Sequence, residues 1–323
     1  MGKIGQPVEP VRRAENGRAA LEWPTLALAA GIYGGWLALT FWHAALAWWA
    51  FFPACAWLVA WQSSLQHEIL HGHPTKWRGF NRALATAPLC LWLPYEAYRV
   101  AHLRHHADER LTDPLDDPES RYLTPQGWAR LGPAGRRCLQ AQKTLLGRLA
   151  IGPFWAIAAF LADQFRAVRA GAPGVRRMWL MHAVWSAMVL YWLAFVCDIA
   201  PAAYVLGAVV PATSLMLARS FAEHKAVDAV PERTAIVENS WLLGPLYLFN
   251  NLHAVHHDHP AMPWYRIPGW YRAHRDAIVA ANGGMVYNSY FDVARRFLLT
   301  SHDAVVHPGA GAAEKAAASV ASM

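Results

Sequence analysis

The sequence is poor in charged residues, and long parts of it lack basic residues altogether. Only 16% of the 323 residues are charged, whereas 55% are hydrophobic and 17 are Trp. Although the formal net charge is +7, no Lys or Arg lies between residues 19 and 75 or between residues 178 and 218. A protein that binds nucleic acid has no reason to segregate charge in this way, but a membrane protein has. We therefore predict an integral membrane protein without a nucleic-acid partner.

Cysteine is also scarce. The four cysteines include no C-x-x-C pair and form no dense framework, which excludes a disulfide scaffold and a zinc ribbon. Cys55 and Cys197 lie inside apolar runs, where a free cysteine behaves as a small hydrophobic residue.

Four apolar segments are each long enough to cross a hydrocarbon core of about 30 Å as a helix. Short links join them into two pairs, 24–42 with 44–62 and 178–197 with 202–221. The sequence therefore predicts an all-α integral membrane protein with two transmembrane helical hairpins, which means four spanning helices. Neither hairpin tip carries a basic residue, so we expect both tips to face away from the cytoplasm and both termini to lie inside it. The expected setting is the inner membrane of a bacterium.

The rest of the chain divides around these segments. We expect residues 1–22 to form a polar cytoplasmic tail, residues 23–303 to form the membrane domain, and residues 304–323 to form a low-complexity tail. Two further apolar stretches, 84–98 and 149–165, are interrupted by proline or glycine. This pattern predicts helices that lie in the membrane interface or dip into it.

Histidine is concentrated in three short elements. His67 and His71 form an H-x-x-x-H pair, and residues four apart on a helix share one face. The elements that begin at His102 (HLRHH) and His253 (HAVHH) place histidines at positions i, i+3 and i+4. Neutral imidazole is a ligand for iron, zinc and copper, and eight clustered imidazoles exceed the needs of one tetrahedral zinc ion. The pattern therefore predicts two metal ions.

Helix geometry places these histidines in one layer. At about 1.5 Å per residue, a helix from Trp48 brings His67 and His71 just past the cytoplasmic edge of the membrane. A helix that begins at Ala202 reaches His224 at a similar depth, which makes His224 the ninth candidate ligand. We expect a cytoplasmic helical cap that holds a His-rich dimetal site.

Carboxylates close to these histidines in the sequence are candidates to accept hydrogen bonds from the ligand imidazoles and so fix their orientation. These candidates are Glu68, Asp108, Glu223 and Asp258. We expect the acidic run after the second element to build the turns at two prolines instead. That run contains Asp113, Asp116, Asp117 and Glu119. His73 and His259 lie off the spacing, and we expect them at the surface or in support of the ligands.

The elements HEILH, HLRHH and HAVHH resemble the three histidine boxes of the membrane-bound fatty acid desaturase superfamily. This superfamily includes acyl-lipid desaturases, alkane and fatty acyl hydroxylases, and carotenoid ketolases. The similarity extends over roughly residues 25–275 and includes SFAEH at residues 220–224 and PWYRIP after the third box. It implies a non-haem di-iron centre whose ligands are His67, His71, His102, His105, His106, His224, His253, His256 and His257. Ser220 stands where some relatives have Asn, and it is a further candidate for indirect support of the metals.

The resemblance also implies a reaction. Two Fe²⁺ ions and O2 would oxidise an unactivated C–H bond in a lipid acyl chain, and we expect desaturation because the boxes together with PWY are most similar to that branch. Hydroxylation of an acyl chain or alkane, or ketolation of a carotenoid, would use the same ligands and remains the alternative. A membrane metal-binding or transport protein is the non-enzymatic alternative. The near absence of ionisable residues in the predicted spans argues against transport.

The sequence contains no cytochrome b5 domain, so the resemblance implies an external electron donor such as a ferredoxin or another reductase. Basic residues between the two hairpins would dock an acidic donor, although any single charge there more commonly faces solvent or lipid headgroups. The residues that we expect in this role are Arg136, Arg137, Lys143 and Arg148.

Overall fold

The computed structural model describes residues 21–106 and 110–309, and these residues are mostly helical with little strand. Asp108 and most of the two predicted tails lie outside the described residues. The first half contains α1 (Trp23–Phe41), α2 (Trp48–Leu70), α3 (Arg78–Thr86), α4 (Tyr95–His105), α5 (Pro125–Ala129), α6 (Pro133–Ala141), α7 (Leu145–Ala150) and α8 (Gly152–Arg169). The second half contains α9 (Val175–Tyr191), α10 (Pro201–Tyr204), α11 (Val210–Glu223), α12 (Leu243–Leu246), α13 (His253–Asp258), α14 (Ile267–Ala281) and α15 (Tyr290–Phe297). Two short parallel strands, β1 (Ile236–Val237) and β2 (Val286–Tyr287), pair between these helices.

Three helices of the described chain are long and apolar enough to cross a membrane: Trp23–Phe41, Val175–Val196 and Pro201–Glu223. The last of these is one continuous helix, in which a wider turn over Val205–Val209 joins α10 to α11. These helices make the chain an integral membrane protein. Helix α2, with 23 residues, has sufficient length as well, but it is not among the three. The predicted fourth crossing therefore stays a prediction.

The two helical hairpins pack directly against each other. The indole nitrogen of Trp36 donates to Tyr204 Oη at 3.1 Å, and that of Trp192 donates to Thr40 Oγ1 at 2.9 Å. The backbone at Gly207 lies so close to the side chain of Phe52 that an added Cβ would be 2.3 Å from its ring. Small residues allow this kind of close helix contact, which is the main source of packing energy where lipid removes the hydrophobic driving force.

Residues 84–98 do not form the predicted interfacial helix, and that prediction was wrong. Helix α3 ends at Thr86 and α4 begins at Tyr95, because Pro88 and Pro94 interrupt helical hydrogen bonding. The irregular link between them is half-buried or buried, and side chains from α1, α2 and α10 donate to carbonyls of the last turn of α3 and of the link. These bonds run from Tyr33 to Leu84, Gln62 to Ala87, Gln66 to Ala85 and Tyr204 to Leu89, at 2.7–2.9 Å.

The other ambiguous stretch is helical, as predicted. Helix α8 covers most of residues 149–165 and leaves Phe154, Leu161 and Phe165 exposed. At the other end of the described chain, residues 304–309 belong to the folded part, since Leu123 forms backbone hydrogen bonds to Val305 and His307. The folded chain therefore continues into the segment predicted as a low-complexity tail.

Candidate metal centre

Four helical elements deliver histidines to the same end of the helix bundle. Helix α2 carries His67 in its last turn, and His71 follows at its end. Helix α4 carries the second box, and α13 begins with the third box. His224 is the first residue after α11, where the backbone turns extended and aims the imidazole toward the other histidines. The structure therefore brings the nine histidines together at one end of the bundle.

The nine imidazoles form two groups, each able to hold a metal ion. Within each group the candidate ligand atoms all lie within 4.8 Å of one another. The five-imidazole group comprises His67, His71, His102, His106 and His256. The four-imidazole group comprises His105, His224, His253 and His257.

Both H-x-x-H-H elements divide between the groups in the same way. His102 and His106, four residues apart, join the five-imidazole group, while His105 joins the other. In the third box, His253 and His257 are four residues apart and belong to the four-imidazole group. His256 belongs to the five-imidazole group. The second and third boxes therefore each contribute to both groups, which ties the two candidate sites into one centre.

The distances between ring nitrogens match those expected around a metal ion. His106 Nε2 lies 3.0 Å from Nε2 of both His102 and His256, and His224 Nε2 lies 3.1 Å from His105 Nε2 and 3.0 Å from His253 Nε2. Metal–nitrogen bonds of about 2.1 Å at angles of 90–109° separate two ligand nitrogens by about 3.0–3.4 Å. The donor set and its spacing therefore fit first-row metal ions.

The opposite ring nitrogens have oxygen partners, which fixes the tautomer. His102 Nδ1 donates to Glu119 Oε1 and His105 Nδ1 donates to Asp117 Oδ1, both at 2.9 Å. His253 Nδ1 lies 3.0 Å from Asn250 Oδ1. With Nδ1 protonated, Nε2 keeps its lone pair for a metal.

Burial keeps most of these imidazoles neutral, as metal ligation requires. Burial and the neighbouring imidazoles hold the pKa of His106 and of His256 well below its usual value. His105 is different. Burial lowers its pKa, but the carboxylates of Glu119 and Asp117 outweigh that effect and raise the pKa to about 9. A metal ion must therefore displace a proton from His105 at neutral pH.

Sequence reasoning assigned Asp117 and Glu119 to turns and missed these contacts with histidines. Asp117 has both roles, since its second oxygen accepts from the backbone of Thr112 at 2.9 Å. The sequence does show an acidic run soon after the second box. Only the folded turn shows that Glu119 and Asp117 are the residues whose oxygens reach His102 and His105. Asp113 and Asp116 do serve the turn, where Asp113 Oδ1 accepts from the Leu115 and Asp116 nitrogens.

The residues that the sequence predicted to support the metal ligands differ in what they contact. Glu223 Oε1 lies 3.5 Å from His253 Nδ1 and 2.8 Å from Arg219 Nε, which links a buried ion pair to a candidate ligand. Ser220 Oγ accepts from Arg121 at 3.2 Å. Asp258 is exposed and, with His257, borders a cavity of about 140 Å³.

Glu68 belongs to a third buried group, with Glu22 and His73. Glu68 Oε1 accepts from the Trp264 nitrogen at 3.0 Å, and His73 Nδ1 donates to Glu22 Oε1 at 2.7 Å. His73 is therefore a buried residue that ties the start of α1 to the end of α2. His259 is exposed and packs against Trp270.

The expected docking residues are not all at the surface. Arg137 is exposed, but Lys143 and Arg148 are buried, with 5% and 8% of their surface accessible. The expectation that these two residues dock an electron donor was therefore wrong. Their charges are enclosed by the fold, which the sequence pattern did not indicate.

Comparison with known proteins agrees with this centre. The sequence profile of the family described as Fatty acid desaturase matches residues 44–291, which include all nine histidines. The match covers most of the chain, and the chain belongs to this family. No curated protein matches the sequence. Membership indicates an oxidoreductase that works in a membrane setting on lipid, in a family known for di-iron centres.

Proposed function

We propose that the chain binds two iron ions, one in each imidazole group, and uses O2 to desaturate a lipid acyl chain. The nine histidines, together with the family match, carry the proposal. The balanced reaction removes two vicinal hydrogens from the chain: R–CH2–CH2–R′ + O2 + 2e⁻ + 2H⁺ gives R–CH=CH–R′ + 2H2O. Two bound ferrous ions would supply the O2 chemistry that no side chain can perform on an unactivated C–H bond.

The protein's own residues hold and shield this centre. His67, His102 and His256 are almost fully buried, so they present neutral nitrogens and exclude water from the five-imidazole group. Asp117 and Glu119 keep His105 and His102 in the tautomer whose Nε2 faces inward. Fixed ligands of this kind need little rearrangement when a metal binds.

Electrons must enter from outside the chain, and we assign this role to a ferredoxin or another soluble reductase. Among the nine histidines, His257 borders the cavity of about 140 Å³ that also contacts Leu111, Val230 and Ile278. We propose that the donor approaches here, on the cytoplasmic side of a bacterial inner membrane. The basic tail and the absence of basic residues from both hairpin tips support this orientation.

Lipid analysis tests the proposed reaction. Cells that express the chain should contain an unsaturated acyl chain, measured by gas chromatography and mass spectrometry, that is absent with His256→Ala. His274→Ala is the matched control, because His274 is exposed and stacks on Trp270 away from both groups. A hydroxylated or keto product would replace desaturation with the alternative outcome. An unchanged lipid profile in cells that also supply a ferredoxin and its reductase would contradict the proposal.

A further inference from the structure

Three basic residues beside the metal centre form a cationic group: Arg121, which is half-buried, and Lys143 and Arg148, which are buried. Lys143 and Arg148 are more than nine-tenths buried, and the charges of all three influence one another. Water therefore does little to screen them, and burying positive charge is costly unless an anion lies close by.

Among the described residues, one carboxylate, that of Asp303, contacts a member of this group directly, and it is already engaged. Asp303 Oδ1 lies 2.7 Å from Lys143 Nζ, and Asp303 Oδ2 accepts from Tyr122 Oη at 2.6 Å. Burial lowers the pKa of Lys143 to about 8 despite this contact, as expected for a cation with too little negative charge around it.

Arg148 makes no hydrogen bond or ion pair with any residue in 21–106 or 110–309, and its buried Nε has no hydrogen-bond partner there. Arg121 contacts a hydroxyl, Ser220 Oγ, rather than a carboxylate. Within residues 21–106 and 110–309, neither guanidinium group contacts a carboxylate. Asp303 acts on Arg148, and Glu223 on Arg121, only through their charges at longer range. The planar donor forks of the two guanidinium groups suit phosphate or carboxylate oxygens.

The surroundings indicate where the anion comes from. Ser220, which Arg121 contacts, lies one helical turn before the candidate ligand His224, so the cationic group is next to the metal centre. On the other side, α7 and α8 expose Leu146 and Phe154, an apolar surface suited to lipid. An anion that reaches Arg148 from that surface would carry an acyl chain with it.

We propose that Arg121, Lys143 and Arg148 bind the anionic headgroup, phosphate or carboxylate, of the lipid whose acyl chain the centre oxidises. The identity of this lipid as substrate rests on the proposed function, whereas the binding of an anionic headgroup does not. The headgroup anchors one end of the lipid close to the metals, so the group also determines which lipids are accepted.

Lipid binding to the purified, iron-loaded protein in detergent tests the proposal, with native mass spectrometry as the readout. The probes are phosphatidylglycerol against diacylglycerol, oleate against methyl oleate, and inorganic phosphate alone. We expect one or both anionic lipids to bind at least about tenfold more tightly than the neutral partner, the size of one lost charge-assisted contact. Equal binding of charged and neutral lipids would overturn the proposal, as would inorganic phosphate binding without preference for either anionic lipid.

Variants locate the site. Arg148→Gln should lose most of the preference for the anionic lipid, and Arg121→Gln should weaken it independently. Arg148→Lys keeps the positive charge but loses the planar guanidinium donors. This variant should remain folded and retain part of the preference for the anionic lipid. Arg137→Gln is the matched control, because Arg137 is exposed. An unchanged preference in folded Arg148→Gln would refute the site. If the anionic headgroup binds but no oxidised product forms, the proposed reaction is refuted and the headgroup site is not.

Discussion

Asp117 and His105 form a buried carboxylate–imidazole pair, with Oδ1 2.9 Å from Nδ1, although twelve residues separate them. The sequence predicted the turn that brings them together, but it did not predict that the turn orients a candidate metal ligand. Because Asp117 also accepts from the Thr112 nitrogen, the backbone of the turn and the candidate ligand are held by one side chain. The second box is therefore oriented by the loop that follows it.

Loss of this pair should weaken metal binding. Asp117→Asn and Glu119→Gln are expected to lower iron affinity about 10–100-fold each, because the ligand imidazole loses its charged acceptor and fixed tautomer. Iron retained after graded chelation measures the effect. Asp116→Asn is the control, since Asp116 pairs with Arg110 rather than with a histidine. Equal iron retention in Asp117→Asn and the control would contradict this role.

The two imidazole groups should be separable by metal content. The wild-type chain is expected to hold two iron ions, while His256→Ala and His253→Ala each remove a ligand from a different group. Each variant should therefore retain about one ion, because the other group is complete. Iron per chain, measured by elemental analysis, checks this, with His274→Ala expected to keep both. Two ions in both ligand variants would show that the groups are misassigned.

Bound iron should also stabilise the fold. An ion that binds the folded chain but not the unfolded one adds about 2.7 kcal/mol when its free concentration is 100 times Kd. Chelation is therefore expected to lower the thermal unfolding temperature of the wild-type protein in detergent. The double variant His253→Ala/His256→Ala should show a much smaller decrease. An unfolding temperature that does not respond to iron or chelator would contradict this coupling.

Helix packing at Gly207 should tolerate no side chain. An added Cβ would lie 2.3 Å from the Phe52 ring, so Gly207→Ala is expected to cost about 1–3 kcal/mol of folding free energy. Thermal unfolding in detergent measures it. Gly34→Ala is the matched control in α1, where nothing lies within 4 Å of the added atom. Restoration of stability by Phe52→Ala in the same chain would identify the ring as the cause, and equal stability of the two alanine variants would refute it.

The orientation in the membrane can be read by cysteine labelling. Ala44→Cys at the first hairpin tip should react with an impermeant maleimide in intact cells stripped of outer membrane, because we place the tip outside. Asp276→Cys, at a fully exposed position near the metal layer, should react only after the membrane is opened. Cys138→Ser removes a partly exposed native thiol, and the remaining three are buried. The reverse labelling pattern would invert the topology.

Several features followed from the sequence alone because they are local. The i, i+4 pairs His102–His106 and His253–His257 share a group since residues four apart lie on one helix face. Apolar runs with almost no charge predicted four spanning helices, three of which the structure has as candidate spans, because length and composition are properties of a continuous segment. The family resemblance rested on the same local spacings, and the profile match confirms it.

The tertiary structure decided which separate segments meet. It joins His67 to His256 and His105 to His224, carries Asp117 and Glu119 to the second box, and encloses Lys143 and Arg148. It also breaks residues 84–98 into two helix ends and an irregular link, where the sequence predicted one helix in or dipping into the membrane interface. Each of these outcomes depends on contacts between residues far apart in the chain, and neither helical spacing nor hydropathy contains information on the relative position of two segments.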